Sequence, residues 1–206
     1  MRARRFEVMR RGQSERLVPM IREVMVEAGL AFAKLDAIAV TLGPGAFTGV
    51  RIGLATARGL ALACGRPLLG LSSFLAVAAA VPAAERRGRR LAVMLDAKRS
   101  DLYVQVFAED LTPLGGPACL VPGELAAQLP AGRLVLAGDA VAQGLGALSE
   151  ARGGQLVVST APGHADAAWV AERASTLALP EPGALSPAPL YLRPPDVTLP
   201  GGPNRL

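Results

Sequence analysis

Apolar and polar positions follow two spacings along this chain. Short runs dense in apolar and β-branched residues predict strands at Asp36–Leu42, Pro67–Leu71, Leu91–Asp96, Asp101–Phe107, Ala118–Val121, Arg133–Ala137 and Leu156–Ser159. Arg4–Met9 (RRFEVM) alternates and reads as an edge strand, and Leu190–Leu192 as a last one. Between them the spacing becomes helical. A first helix runs from an N-cap at Ser14 to Ala28, stopped by Gly29, with Pro19 in its second turn. Others span Thr48–Cys64, Ser72–Ala80, Gly123–Leu129, the stretch after Gly138 to Leu148, and Ala165–Leu179. This alternation predicts an α/β fold of two lobes. Residues 1–81 form the first lobe, 82–90 (PAAERRGRR) a linker, 91–195 a smaller second lobe, and 196–206 a disordered tail.

Two helices carry more apolar surface than one sheet face needs. On the first, Leu17, Ile21, Val24 and Ala28 form a stripe for the sheet, while Val18 and Met25 form a second stripe flanked by Arg22. On the second, Gly49, Gly53, Ala57 and Ala61 recur every four residues. Each interior glycine costs roughly 1 kcal/mol against alanine, which makes sense if another backbone approaches closely. Arg51, Ala55, Arg58 and Leu62, with Leu54, lie on another face that mixes charge with apolar surface. The expectation is a docking face for a partner helix, built from Val18, Arg22, Met25, Arg51, Leu54, Ala55, Arg58 and Leu62. The plain alternative for the first helix is ordinary burial.

Composition narrows the chemistry. The chain has 206 residues, 51% of them hydrophobic, and no charge-free apolar run of the length that spans a membrane. Cys64 and Cys119 make neither a metal spacing nor a disulfide framework, which points to a reducing cytoplasm. His164 is the one histidine, in a Pro-Gly-His turn. It is expected on the surface, and a metal site around it is not expected. The net charge of +5 is clustered at Arg2–Arg11 and Arg86–Arg90, and few aromatics interleave with it. Solvated arginines are the plain reading; phosphate contact with RNA inside a larger assembly is the alternative.

Two glycine turns follow strands. Gly43-Pro44-Gly45 leaves a strand and enters a helix near Thr48, a geometry whose free N–H groups can hold an anion. No Gly-Lys-Ser/Thr follows it, and Ala37–Ala84 contains no Asp, Glu, His or Lys. The reading favoured is a tight structural turn with a packing helix. Gly138-Asp139-Ala140 is the second turn, but its carboxylate repels phosphate unless a metal bridges them. Asp96, at a strand end, is the best isolated candidate for a catalytic acid; a turn-forming Asp beside Lys98 and Arg99 is the competing reading.

The stretch GPGAFTGVRIGLATARGLAL resembles the signature of the TsaB (YeaZ-like) family. RGQSERLVPMI before it, LDAKRSDLY after it and PLYLRPPDV near the end agree in order and spacing. The resemblance implies an actin/Hsp70-like ATPase architecture of the ribonuclease H-like kind. It also implies a non-catalytic subunit of the bacterial complex that transfers threonylcarbamoyl to N6 of an adenosine in tRNAs reading ANN codons. The implied partners are a TsaD-like catalytic homologue bound through a helix bundle, a TsaE-like ATPase, and tRNA through the complex. No firmly bound cofactor is implied; ATP or ADP would be handled by the complex, although Gly138-Asp139 stands where the implied actin-like fold holds a second phosphate. A homodimer of the free chain through the same helices is expected. The family's catalytic homologue has a histidine pair where this chain has Ser72-Ser73-Phe74-Leu75.

The family also opens with a further hairpin, carrying its first phosphate loop and the middle strand of the first sheet. This chain begins at what resembles the third strand. A misplaced start is the expectation, since the strands at Asp36 and Pro67 would otherwise lack a neighbour. The alternative function is an enzyme in its own right, a nucleotide-dependent transferase or a peptidase of the same superfamily.

Overall fold

A computed structural model of the chain describes residues 1–9, 11–181 and 184–193. The first unit consists of α1 (Gln13–Ala28), β1 (Ile38–Thr41), α2 (Phe47–Cys64), β2 (Leu68–Leu71) and α3 (Ser73–Ala80). β1 and β2 pair in parallel, with Ile38 opposite Leu68 and Thr41 opposite Leu71. Parallel neighbours need a crossover, and α2 is that crossover.

The second unit contains α4 (Ala83–Arg86), β3 (Arg90–Asp96), β4 (Leu102–Phe107), β5 (Ala118–Leu120), α5 (Leu125–Gln128), β6 (Leu134–Ala137), α6 (Val141–Arg152) and β7 (Leu156–Val158). Its five strands lie in the order β5-β4-β3-β6-β7. The meander β3–β4–β5 is antiparallel, and the β3–β6 and β6–β7 pairings are parallel.

Side chains alternate across a strand, so β3 feeds two cores. Leu91, Val93 and Leu95 join Phe74, Val77 and Val81 around α3. Ala92 and Met94 turn the other way, to Leu102, Leu134 and Leu136 with Leu125 and Leu148 from the outer helices. Each such large side chain contributes about 1.5–3 kcal/mol on burial. α3 is apolar nearly all round because it is sandwiched, and the Ser72 hydroxyl caps it by accepting the Leu75 amide at 3.0 Å. α7 (Ala167–Ala174) then returns to the first sheet, where Val170 and Ala174 pack with Leu69, Leu71 and Ala76. A division at residues 82–90 is therefore no clean cut. That segment is itself ordered: Glu85 accepts the hydroxyls of Ser159 (2.6 Å) and Thr160 (2.5 Å).

Several local expectations need correction. Residues Arg4–Met9 form no strand. Ion pairs Arg4–Asp166, Arg5–Glu27 and Glu7–Arg16 hold that segment on α7 and α1 instead. The α1 N-terminus is set by Gly12 in the left-handed region (φ 84°), not by Ser14, whose hydroxyl donates to Glu15 at 3.0 Å. Gly29 ends α1 as expected, donating to Met25 and Val26. The last helix is only Ala167–Ala174, and Gly123–Leu129 splits into a 3-10 turn and α5. Leu190–Leu192 is not a strand. The 196–206 tail lies outside the described residues.

Candidate docking face and phosphate-type turns

α1 and α2 pack against each other beside β1. No residue of α1 is fully buried. Leu17, Ile21 and Met25 turn toward β1, α2 and α7 and line an apolar groove of about 430 Å³ along β1. Met25 reaches both sides, since it also lines a shallow hollow with Arg22 and Val26. Val18 and Arg22 are exposed, and Val26 is 82% exposed, an apolar side chain that the sequence reading left out.

On α2, Arg51, Ala55, Arg58 and Leu62 are exposed, Leu62 at 86%. Leu54 is not: at 3% exposure it belongs to the interior. It drops out of the docking face for a simple reason, since at the edge of a helix stripe one step of 100° separates solvent from core.

The two arginines are also not free. Arg58 donates from Nε to Ser186 Oγ at 3.0 Å and from Nη2 to the Pro187 carbonyl at 2.7 Å. Arg51 donates to the Tyr191 hydroxyl at 3.1 Å and lies 3.6 Å above the Phe47 ring. The chain's own C-terminal segment was the feature missed; a Pro-rich run with no periodicity gave no signal of where it docks.

Within the described residues of this chain, backbone does not crowd the α2 glycines. A Cβ on Gly53 would meet only the Val40 side chain at 3.9 Å, and on Gly49 only Ala46, so no backbone approaches them closely. The close approaches are elsewhere. A Cβ on Gly70 would sit 2.7 Å from Pro187 Cβ, and on Gly43 (φ 101°) 3.0 Å from the Leu190 carbonyl oxygen.

Gly43 and Pro44 are buried, while Gly45 and Thr48 are exposed at the start of α2. The Gly43 carbonyl accepts the Ser73 amide at 2.7 Å, tying the turn to α3. Ala46 precedes α2 with no side-chain cap.

The second turn is packed on both sides by backbone. A Cβ on Gly138 (φ 115°) would lie 1.9 Å from the Met94 carbonyl oxygen, and one on Gly163 2.8 Å from the Gly138 carbonyl carbon. Asp139 Oδ1 accepts the Asp96 amide at 2.9 Å. Asp96 in turn accepts the Lys98 amide at 2.6 Å and its ammonium at 2.7 Å. Those bonds from Lys98 outweigh desolvation and hold the Asp96 carboxyl below its ordinary value. A carboxyl in that state is a poor proton donor near neutrality, and the turn-forming reading accounts for it.

Of the remaining candidates, His164 is exposed and stacks on Phe6 with ring centroids 6.3 Å apart. Cys119 Sγ donates to Asp101 Oδ2 at 2.8 Å, and burial pushes its thiol above the usual range. No cluster of three or more His, Cys, Asp or Glu that could hold a metal ion occurs among the described residues. No helix among them is long and apolar enough to cross a membrane.

Comparison with known proteins identifies the family. The family model of TsaD, tRNA N6-adenosine threonylcarbamoyltransferase, matches residues 7–153. The tRNA threonylcarbamoyladenosine biosynthesis protein TsaB of Escherichia coli is 33% identical over 105 residues, 51% of this chain and 45% of that protein. The tRNA N6-adenosine threonylcarbamoyltransferase of Erythrobacter litoralis is 50% identical over 66 residues, 32% of this chain and 19% of that one. The chain thus matches less than half the length of either curated relative. A crystal structure from Pseudomonas aeruginosa, described as an uncharacterized protein with similarity to peptidase YEAZ, superposes with a TM-score of 0.70. It is 30% identical, over 92% of this chain and 88% of that one. With the family model spanning most of the chain and the likeness in fold nearly all of it, the protein belongs to the TsaD family as a TsaB (YeaZ)-like member with the actin/Hsp70-like ATPase fold.

Proposed function

We propose that this chain is a non-catalytic subunit in the formation of threonylcarbamoyladenosine in tRNA, and that it supports a catalytic TsaD-like homologue by docking through α1 and α2. The observation that carries this reading is the outward face of the helix pair. Val18, Val26 and Leu62 are large apolar side chains left in solvent beside Arg22, Arg51, Arg58 and the small Ala55. Apolar anchors among arginines are the composition of an interface core and its rim.

The geometry of the polar groups supports the non-catalytic part. Asp96 and Asp139 are spent on bonds within the second unit, and the Gly138 turn is filled by backbone. Threonylcarbamoyl chemistry, ATP handling by a TsaE-like ATPase and tRNA binding then fall to the assembled complex, in the cytoplasm. Free chains would pair through the same helices when the homologue is absent.

Co-expression with the cognate TsaD-like protein, followed by size-exclusion chromatography with light scattering, tests this. A stable heterodimer that Leu62→Asp with Ala55→Asp abolishes is the expected result. An unchanged heterodimer with that variant would place the interface elsewhere. Nucleotide turnover by the chain alone, with no heterodimer, would favour an independent enzyme.

A further inference from the structure

The segment Ser186–Arg193 has no regular secondary structure, yet six of its eight residues are anchored. Arg58 of α2 holds Ser186 and Pro187 at 3.0 and 2.7 Å. Pro187 fits against Gly70 of β2, where any Cβ would intrude to 2.7 Å. The Leu190 amide donates to the Leu42 carbonyl at 2.7 Å, at the end of β1. The Tyr191 ring packs on Phe47, centroids 5.4 Å apart, and its hydroxyl accepts from Arg51 at 3.1 Å. Leu192 packs against the core that α3 shares with β3, and Arg193 pairs with Asp101, with its Nη2 3.5 Å from Cys119 Sγ.

The anchors have a direction. Ser186 meets Arg58, and Tyr191 meets Arg51 and Phe47, so the segment runs antiparallel to α2 over two turns of it. Arg58 and Arg51 are seven residues apart, roughly 10 Å along the axis, which five residues of non-helical chain span easily. The segment therefore lies on the stripe of α2 that contains Phe47, Arg51 and Arg58, and leaves Ala55 and Leu62 open. Its far end is fixed to the other sheet by the Arg193–Asp101 pair.

We infer that Ser186–Arg193 is an internal occupant of the α2 docking face, and that a helical partner competes with it for Arg51 and Arg58. This inference rests on the docking reading above. In the free chain the segment accepts hydrogen bonds from both guanidinium groups and lies beside the stripe that carries them. A partner helix that takes the whole stripe supplies acceptors of its own and frees the segment between Ser186 and Tyr191. The Leu192–Arg193 end, seated on the core between α3 and β3 and on Asp101, stays in place and keeps the released segment close. Docking is thereby coupled to the contact between the two units, because the same segment makes both.

Hydrogen exchange of the full chain, alone and with the TsaD-like protein, reads this directly, together with the affinity of Ser186→Ala with Tyr191→Phe. That variant removes two hydroxyl partners of the arginines without altering α2. In the free chain the Leu190 amide is expected to exchange at least about tenfold more slowly than an open amide. On complex formation it loses that protection, and the variant binds about three- to tenfold more tightly than the parent chain. A complex formed only by the variant supports the same competition more strongly. A complex in which Leu190 stays protected, or which the variant forms no more tightly, overturns the competition while leaving the docking reading intact. If neither chain forms a complex, the docking reading fails and the competition with it, while free-chain protection at Leu190 still reports whether the segment is seated.

Discussion

Asp166 shows one carboxylate serving two parts of the chain. Its side chain accepts the Ala168 amide at 2.8 Å, capping α7, and takes a two-oxygen bond from Arg4 of the N-terminal segment. Burial pushes this carboxyl up, but the bonds from Arg4 and the Ala168 amide outweigh burial and hold it below its ordinary value. A depressed carboxyl contributes stability that is present above its unfolded value, about pH 4, and lost as pH falls through its folded value. Asp166→Ala is expected to cost about 1 kcal/mol through the cap alone. Urea melts at neutral pH and near pH 3 check this, with the gap between parent and variant narrowing in acid. The glycines give a second contrast. Gly138→Ala drives a methyl into the Met94 carbonyl and should prevent stable folding, whereas Gly146→Ala, in open space within α6, should be neutral or slightly stabilising. That Gly138 begins a turn was legible in the sequence. Why only glycine fits was not, because Met94 arrives from a distant strand.

At the scale of elements, the strands and long helices were legible from periodicity, and the errors fell where another element decides. Leu54 and Ala55 are neighbours in a helix that reads as one mixed surface, yet one is buried and the other exposed. Leu54→Asp would bury an unpaired charge, at a cost of several kcal/mol, and should unfold the chain; this makes it useless as an interface probe. Leu62→Asp should leave thermal stability within about 0.5 kcal/mol of the parent, as expected of an exposed helix position. Parallel thermal melts of the two variants separate them. Arg4–Met9 alternates like a strand, but β1 pairs only with β2 among the described residues, so the alternation finds no ladder. Its arginines and glutamate pair with α1 and α7 instead. The far side of β1 faces the apolar groove, and all four residues of β1 are only half-buried.

At the scale of the whole molecule, the described residues join the two sheets through α3 in the middle, through α7 returning to the first sheet, and through the C-terminal segment that touches both. A sequence scan divides this chain at its charged stretch, residues 82–90, because composition changes there. It does not register that the last quarter of the chain folds back, since Val170, Ala174 and Leu190 show no pattern that names their partners. The candidate site was legible in the same uneven way. The exposed face of α1 and α2 is legible from apolar residues in excess of one buried stripe, while the Pro-rich segment that bonds Arg51 and Arg58 is not.

The central claim, that the chain supports catalysis without performing it, is most directly tested by reconstituting tRNA modification from purified components. The TsaD-like and TsaE-like proteins would be assayed with ATP, tRNA and the threonylcarbamoyl donor system, with and without this chain, and with the Ala55→Asp and Leu62→Asp double variant. The account predicts modification only when the parent chain is present, little or none with the double variant, and none from the chain alone. Modification or nucleotide turnover by the chain by itself, or full activity with the double variant, would contradict it.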